Sequence, residues 1–391
     1  MKGNIYEKAV TEHPHRAAAM NVTPPQRAIR TAVLALRSFA SFPVIGPAFL
    51  LNLSSGIQRG ANGVDPRGAI FEVELVSLTK KPILFPDGVI VHPTSSITSA
   101  NRPELIFIPA IGDNFFENNL TQSLEPHLAF VPWIKACAAE GTRVVSECTG
   151  AFLLAATGLL DGRSATTHWF FADEFRKMYP KVNLLLERLI VDEGSVITSG
   201  AGASFTDLVL YLIELYSGHA TAVLTSKLLA LDLGRRTQLP YTIFSSLKTH
   251  SDRQILQIQN VLESASQSMW TPQGMAKRAG MSLRTFERRF RKATGETPST
   301  YVQKLRVENA KRLLENCGDT VEEIAHKVGY EDSRSFRRLF CHFTALSPKT
   351  YRVRYGLATA SGAEVSSNSG SNSRMSRSMT SHFVRATIEN H

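Results

Sequence analysis

The sequence predicts two domains of different class: a doubly wound α/β domain with a mostly parallel sheet, then an all-α domain carrying two helix-turn-helix units. Three observations carry this. Short apolar or β-branched runs alternate with helical patterns up to about Gly218, which is the signature of a parallel sheet covered on both faces. Beyond Asp252 the pattern is wholly helical to Tyr355 and contains one motif twice. A chain of 391 residues with 43% hydrophobic content has enough apolar material for two cores rather than one.

Residues 1–27 are polar, hold the Pro24-Pro25 pair and show no sustained period; they read as an extension. Strand signals follow at Ile29–Leu36, Phe71–Leu78, Val89–Val91, Leu105–Ile108, Arg143–Ser146 and Ser195–Thr198, with helical patterns at Leu124–Ala139 and Ser204–Tyr216 between or after them. These bound an N-terminal domain at 28–218. A connecting segment is expected at 219–252, with a helical pattern at Ala220–Leu231 and breaks at Gly234 and Pro240. The helical domain spans 253–356. The tail, 357–391, contains SSNSGSNS and has the composition of a disordered segment.

Charge is unevenly spread. The whole chain is formally +10, and from Ser251 to Gly356 there are 19 Lys and Arg against 11 Asp and Glu, a net +8. A polyanionic partner would therefore meet the helical domain. Cys137, Cys148, Cys317 and Cys341 form no CxxC pair and no zinc-like spacing with His, so no metal site is expected, and a reducing compartment fits best. No apolar run reaches the roughly 18 residues a membrane span needs, and the N-terminus lacks the order of a signal peptide. The expectation is a soluble, cytoplasmic protein with no membrane partner.

In the helical domain, Met275 and Ala276 sit on a short helix, Gly280 marks the turn, and Ser282 starts a longer helix. The second copy repeats this with Ile324 and Ala325, Gly329, and Asp332 or Ser333. Phe286 and Phe290, like Phe336 and Phe340, recur at helical spacing and form the buried face. The opposite faces carry Arg284, Glu287, Arg288 and Arg291 in one helix and Arg334, Arg337 and Arg338 in the other. A single charged helix face is ordinarily just solvated. Two of them in matching turn contexts, within the segment holding most of the net charge, suit a DNA major groove, where Arg bonds guanine bidentately.

The segments AGMSLRTFERRFRKATGETPSTYVQKLRVENAKRLL and VEEIAHKVGYEDSRSFRRLFCHFTALSPKTYR resemble the DNA-binding domain of AraC-type regulators, over roughly Leu256–Tyr355. Leu346 stands where that family often has Gly. The resemblance implies two recognition helices in successive major grooves of double-stranded promoter or operator DNA, joined by a long helix near Thr300–Leu314. By position, Arg284, Glu287, Arg288, Arg334, Ser335 and Arg338 would read bases, whereas Thr285, Arg291, Lys292, Arg337 and Lys349 would touch phosphates.

In the first domain, VVSECTGAFLLAATGLLDGRSATTHW places Cys148 on a sharp strand-to-helix turn, with the geometry of a nucleophile elbow and a helix dipole that would favour the thiolate. His168 lies downstream. This part, about Ile29–Gly218, resembles the PfpI-type branch of the class I glutamine amidotransferase-like superfamily, and with the second domain it resembles GlxA-type regulators; the implied first fold is flavodoxin-like. Enzymes of that superfamily often have His directly after the Cys, where Thr149 stands, and many carry an acid near the end of the first strand, where FASFPVIGP has Pro43. Gly112-Asp113 replaces a double glycine that commonly helps shape an oxyanion site. Cys148 therefore keeps three readings: a small buried residue filling the turn, a ligand contact together with Thr149 and His168 in a site that has lost its chemistry, or a nucleophile. For Glu147 and Asp207 a structural role is the default.

The expectation is a regulator rather than an enzyme, needing no cofactor. The resemblance implies an activator that contacts RNA polymerase, homodimerises through its first domain and senses a small effector such as an amino acid or other nitrogen compound. The alternatives are an active cysteine hydrolase or amidase with an attached DNA-binding domain, and a non-specific nucleoid-coating protein.

Overall fold

The computed structural model describes residues 28–60, 68–100, 102–112, 120–244, 248, 250–264 and 270–357. The proposed extension at 1–27, Asp113 and the Ser-rich stretch at 366–373 lie outside them.

In chain order the first domain runs β1 (Ile29–Leu34), α1 (Phe42–Gly60), β2 (Phe71–Ser77), β3 (Ile83–Leu84), β4 (Ile90–Val91), β5 (Ser95–Ser96), β6 (Leu105–Ile108), α2 (Leu120–Leu124), α3 (Val131–Ala139), β7 (Arg143–Glu147), α4 (Gly150–Ala156), β8 (Ser164–Ala165), α5 (Ala172–Met178), β9 (Asn183–Leu184), β10 (Ile190–Asp192), β11 (Val196–Ser199), α6 (Phe205–Ser217) and α7 (His219–Leu228). Among the described residues the main sheet has seven strands in the order β10-β11-β7-β6-β1-β2-β5. The ladder is parallel from β5 to β11, and β10 alone adds antiparallel to β11. This is the flavodoxin-like, doubly wound class.

Side chains alternate across the strands, so each strand feeds two cores. Ala32, Leu34, Ile106, Ile108 and Val144 pack on one face with Ala151, Phe152, Leu154 and Phe175. Val33, Phe107, Val145 and Ile197 pack on the other with Val44, Leu51, Leu208 and Ile213. The register sets Val33 beside Phe107 and Phe107 beside Val145, which keeps the central strands apolar on both faces.

Three details differ from the sequence reading. The strand expected at Val89–Val91 is half of a small hairpin, β3 with β4, outside the main sheet. The helix expected at Leu124–Ala139 is broken: Glu125–Phe130 is a 3-10 turn and α3 starts afresh at Val131, because Pro126 and Pro132 each supply no N–H and are tolerated only in a first turn. The segment expected to connect the domains opens with α7, which buries Thr221, Ala222 and Thr225 and packs on α1 and α6.

The second domain comprises α8 (Arg253–Ser264), α9 (Pro272–Arg278), α10 (Leu283–Thr294), α11 (Pro298–Asn316), α12 (Val321–Lys327), α13 (Ser333–Thr344) and α14 (Pro348–Tyr355). Each helix-turn-helix unit has its own core. Ile255, Ile258 and Leu262 of α8 close over Met275, Ala276, Phe286, Phe290 and Tyr301. Val307, Ala310 and Leu314 close over Ile324, Ala325, Phe336, Phe340 and Tyr351. The long α11 contributes to both cores and so ties the units together.

Candidate DNA interface and effector site

The two recognition helices are built by the same local rules. The turns before them use Gly280 at φ +65° and Gly329 at φ +87°, a left-handed conformation that side chains resist. Ser282 accepts from Thr285 N at the start of α10. At the start of α13 it is Asp332, rather than Ser333, that caps, accepting from Arg334 N at 3.0 Å and Ser335 N at 2.8 Å. The scaffold helix of the second unit, α12, begins with a full capping box between Thr320 and Glu323.

With Phe286, Phe290, Phe336 and Phe340 fully buried, the opposite faces are forced outward. Arg284, Glu287, Arg288, Arg291 and Lys292 are exposed on α10, and Arg334, Arg337 and Arg338 on α13; Thr285 and Ser335 are half-buried at the two helix starts. Lys349 is exposed in the first turn of α14. Arg337 pairs with Glu322 of α12, which braces it beside its scaffold helix. Arg289, between Arg288 and Arg291 in the chain, turns inward to the domain and pairs with Asp252 at 2.7 Å and Gln254 at 2.7 Å.

Arg284, Glu287, Arg288, Arg291 and Lys292 line an open groove of about 630 Å³ together with Thr297, Pro298 and Ser299. The last three form the N-terminus of α11, where Thr297 accepts from Thr300 N at 3.2 Å. Ser347 accepts from Thr350 N at 3.1 Å at the matching start of α14. A helix start beside a row of guanidinium groups is a place for an anion. Thr297 and Ser299 were not singled out from sequence; the repeated (T/S)-P-x-T caps were the available signal.

In the first domain β7 runs to Glu147, Cys148 sits at φ +55°, and α4 begins at Gly150. That is the strained elbow expected. Gly150 is required there, since a Cβ would lie 2.5 Å from the Pro109 carbonyl oxygen and 2.7 Å from that of Ile108. The elbow is sewn to its surroundings: Cys148 N donates to Ser199 O at 2.8 Å, and Thr149 Oγ1 both donates to Ile111 O at 2.6 Å and accepts from Ile111 N at 2.9 Å. Thr167 donates its hydroxyl to Cys148 O at 2.9 Å. His168 is buried, and its Nδ1 accepts from Phe170 N at 3.1 Å.

The expectation that the helix dipole favours a thiolate is overturned. Cys148 is 1% exposed, and burial, reinforced by neighbouring Glu147, pushes the thiol's pKa up. A seven-residue helix does not offset that desolvation. Burial likewise raises the Glu147 carboxyl well above its ordinary range, and its Oε2 accepts from Ala110 N at 3.3 Å. His168 is lowered to about 4 by burial and is neutral near pH 7. Asp207, in the first turn of α6, forms a structural pair with Arg235. Among the described residues no group of three or more His, Cys, Asp and Glu is placed to hold a metal ion, and no helix is long and apolar enough to cross a membrane.

Comparison with known proteins matches residues 32–215 to the DJ-1/PfpI family and residues 275–354 to a helix-turn-helix domain. The HTH-type transcriptional regulator CdhR of Pseudomonas aeruginosa is 28% identical over 285 residues, covering 73% of this chain and 82% of the relative. The HTH-type transcriptional regulator GlxA of Rhizobium meliloti is 27% identical over 229 residues, covering 55% and 67%. Among solved structures, an AraC family transcriptional regulator from Pseudomonas putida aligns over 51% of this chain and 99% of its own, with 16% identity and a TM-score of 0.42. A DJ-1/PfpI-type domain followed by a helix-turn-helix domain, in a chain that HTH-type transcriptional regulators match over much of their length, makes this protein similar to GlxA-type transcriptional regulators.

Proposed function

We propose that this regulator reads a specific operator by laying α10 and α13 into successive major grooves. Arg284, Glu287, Arg288, Arg334, Ser335 and Arg338 contact base edges. Thr285, Arg291, Lys292, Arg337 and Lys349 contact phosphates, and the starts of α11 and α14 receive two further phosphates. The observation that carries this is the division of each recognition helix into a buried phenylalanine pair and an exposed arginine row. The protein acts in the cytoplasm as a homodimer through its first domain, contacts RNA polymerase and activates transcription. Its limits in this reading are 28–218 for the sensor and 253–356 for the reader.

The first domain serves as a sensor of a small nitrogen-containing effector, which contacts the region of Cys148, Thr149 and His168, and it turns over no substrate. The protonated thiol and neutral His168 support this, since a nucleophilic cysteine needs a thiolate and a positioned base. Genome-wide mapping of bound sites, followed by binding to the recovered motif and to a shuffled duplex at matched salt, tests the regulator reading. A motif bound at least 10³-fold more tightly than the shuffled duplex, the lower end for specific binding, is the expected outcome; equal binding of both would favour a coating protein. Amide, peptide and glycated substrates, assayed with Cys148→Ala as control, test the sensor reading. A Cys148-dependent rate would restore the hydrolase.

A further inference from the structure

The stretch between α7 and α8 is bonded at both ends. On the sensor side, Arg235 Nε donates to Asp207 Oδ1 at 2.8 Å, and its terminal nitrogen pairs with the second carboxylate oxygen. Leu189 N donates to Arg236 O at 3.0 Å. Gln238, fully buried, donates its amide to Thr167 O at 3.0 Å and Thr166 Oγ1 at 3.2 Å, while its amide oxygen accepts from Ala201 N at 3.2 Å.

Four residues later the same strand of chain belongs to the reader. Thr242 O accepts from Lys311 Nζ at 2.6 Å, and Phe244 N donates to Glu308 Oε2 at 3.1 Å. Lys311 and Glu308 are a buried pair, 3.2 Å apart, on the helix that joins the two DNA-reading units. Tyr241 is the joint between the halves: it follows the sensor-bound stretch within three residues of Gln238, and Arg354 of α14 bonds its hydroxyl and lies 5.0 Å over its ring.

The residue that holds Gln238 also holds the elbow. Thr167 presents its carbonyl to Gln238 and its hydroxyl to the carbonyl of Cys148. A displacement at Cys148 that moves Thr167 strips a buried amide of a partner, and a buried polar group without a partner is costly enough to favour release over accommodation.

We propose that residues 235–244 form a clasp that locks the DNA-binding domain onto the sensor, and that the Thr167–Gln238 contact is where a change at the Cys148 elbow opens it. Only the trigger rests on the sensor reading; the clasp rests on the bonds above. Gln238 and Thr167 are positioning residues, acting on the reader through the chain that follows them.

The test uses full-length protein, with the rate of tryptic cleavage at Arg235–Arg236, mapped by mass spectrometry, and the tumbling of the reader domain by NMR relaxation. Gln238→Ala is expected to raise cleavage on the order of tenfold and to let the reader tumble independently, whereas Thr167→Val keeps the carbonyl that holds Gln238, loses the hydroxyl bond to Cys148 and is expected to raise cleavage by less, which tests the trigger alone. Thr167→Ser, which keeps the hydroxyl, is expected to match the wild type. Tyr241→Ala opens the joint without entering the sensor core, so the test survives a Gln238 variant that fails to fold. Wild-type cleavage and joint tumbling in Tyr241→Ala would overturn the clasp, and the same result in Thr167→Val would overturn the trigger. That result is distinct from failure of the regulator reading, which would show as wild-type protein with no operator preference.

Discussion

Phe340 meets Tyr351 edge to face, with ring centroids 5.4 Å apart and an interplanar angle of 87°, and Phe290 meets Tyr301 in the same way at 5.2 Å and 86°. Each pair pins a recognition helix to the helix that follows it. Both phenylalanines are fully buried, so truncating one leaves a cavity as well as losing apolar burial.

Phe340→Ala is expected to cost about 3–5 kcal/mol of reader stability and to abolish operator binding by unseating α13. Denaturant unfolding followed by far-ultraviolet circular dichroism checks this. A loss under about 1 kcal/mol would mean the aromatic pair does not hold the helix.

Cys148 should resist alkylation in the folded protein. Burial keeps its thiol protonated, whereas Cys317 and Cys341 are exposed. Iodoacetamide at pH 8 is expected to label Cys317 and Cys341 and to spare Cys148 until denaturant is added, read by peptide mass. Rapid labelling of Cys148 in the native state would contradict the protonated, enclosed thiol.

His168 makes the sensor acid-sensitive. Its folded-state pKa of about 4 lies below the ordinary 6.5, so between those values the unfolded chain binds the extra proton and stability falls as pH falls. Full development of that shift corresponds to on the order of 3 kcal/mol. His168→Asn retains a side-chain acceptor for Phe170 N and removes the titration, so its stability profile from pH 6.5 to 4 is expected to be flatter than that of the wild type. Parallel profiles would rule out a buried neutral histidine.

Glu147 works in the opposite direction. Its folded pKa is raised by burial, so its contribution is fully present below the unfolded value near 4.5 and is lost as pH rises toward the folded one. Glu147→Gln is expected to be more stable than the wild type at pH 8 and indistinguishable from it at pH 4, by urea midpoints. A destabilised variant at pH 8 would show that the carboxylate is ionised and paired.

Where a residue's role is set by near neighbours in the chain, the sequence could be read. The Phe286–Phe290 and Phe336–Phe340 spacings, the turn glycines and the SECTGAF elbow announce themselves because period, turn and cap are local properties. The strand Ile83–Leu84, the edge strand Ser95–Ser96 and the antiparallel Ile190–Asp192 did not, since two or three residues carry no measurable period. Cys148 was misread at one level only: its conformation follows from local sequence, but its proton affinity follows from burial beneath segments far away in the chain. Gln238 was invisible for the same reason. A glutamine in a connecting segment looks solvated until Thr166, Thr167 and Ala201 are seen to close around it.

Base reading by the arginine rows is open to direct measurement. Arg338→Ala, titrated by fluorescence anisotropy against the operator and a shuffled duplex at the same salt concentration, tests it most directly. Operator affinity is expected to fall by about 1–3 kcal/mol while binding to the shuffled duplex changes little. Equal losses on both duplexes would contradict base reading and put Arg338 on the phosphate backbone.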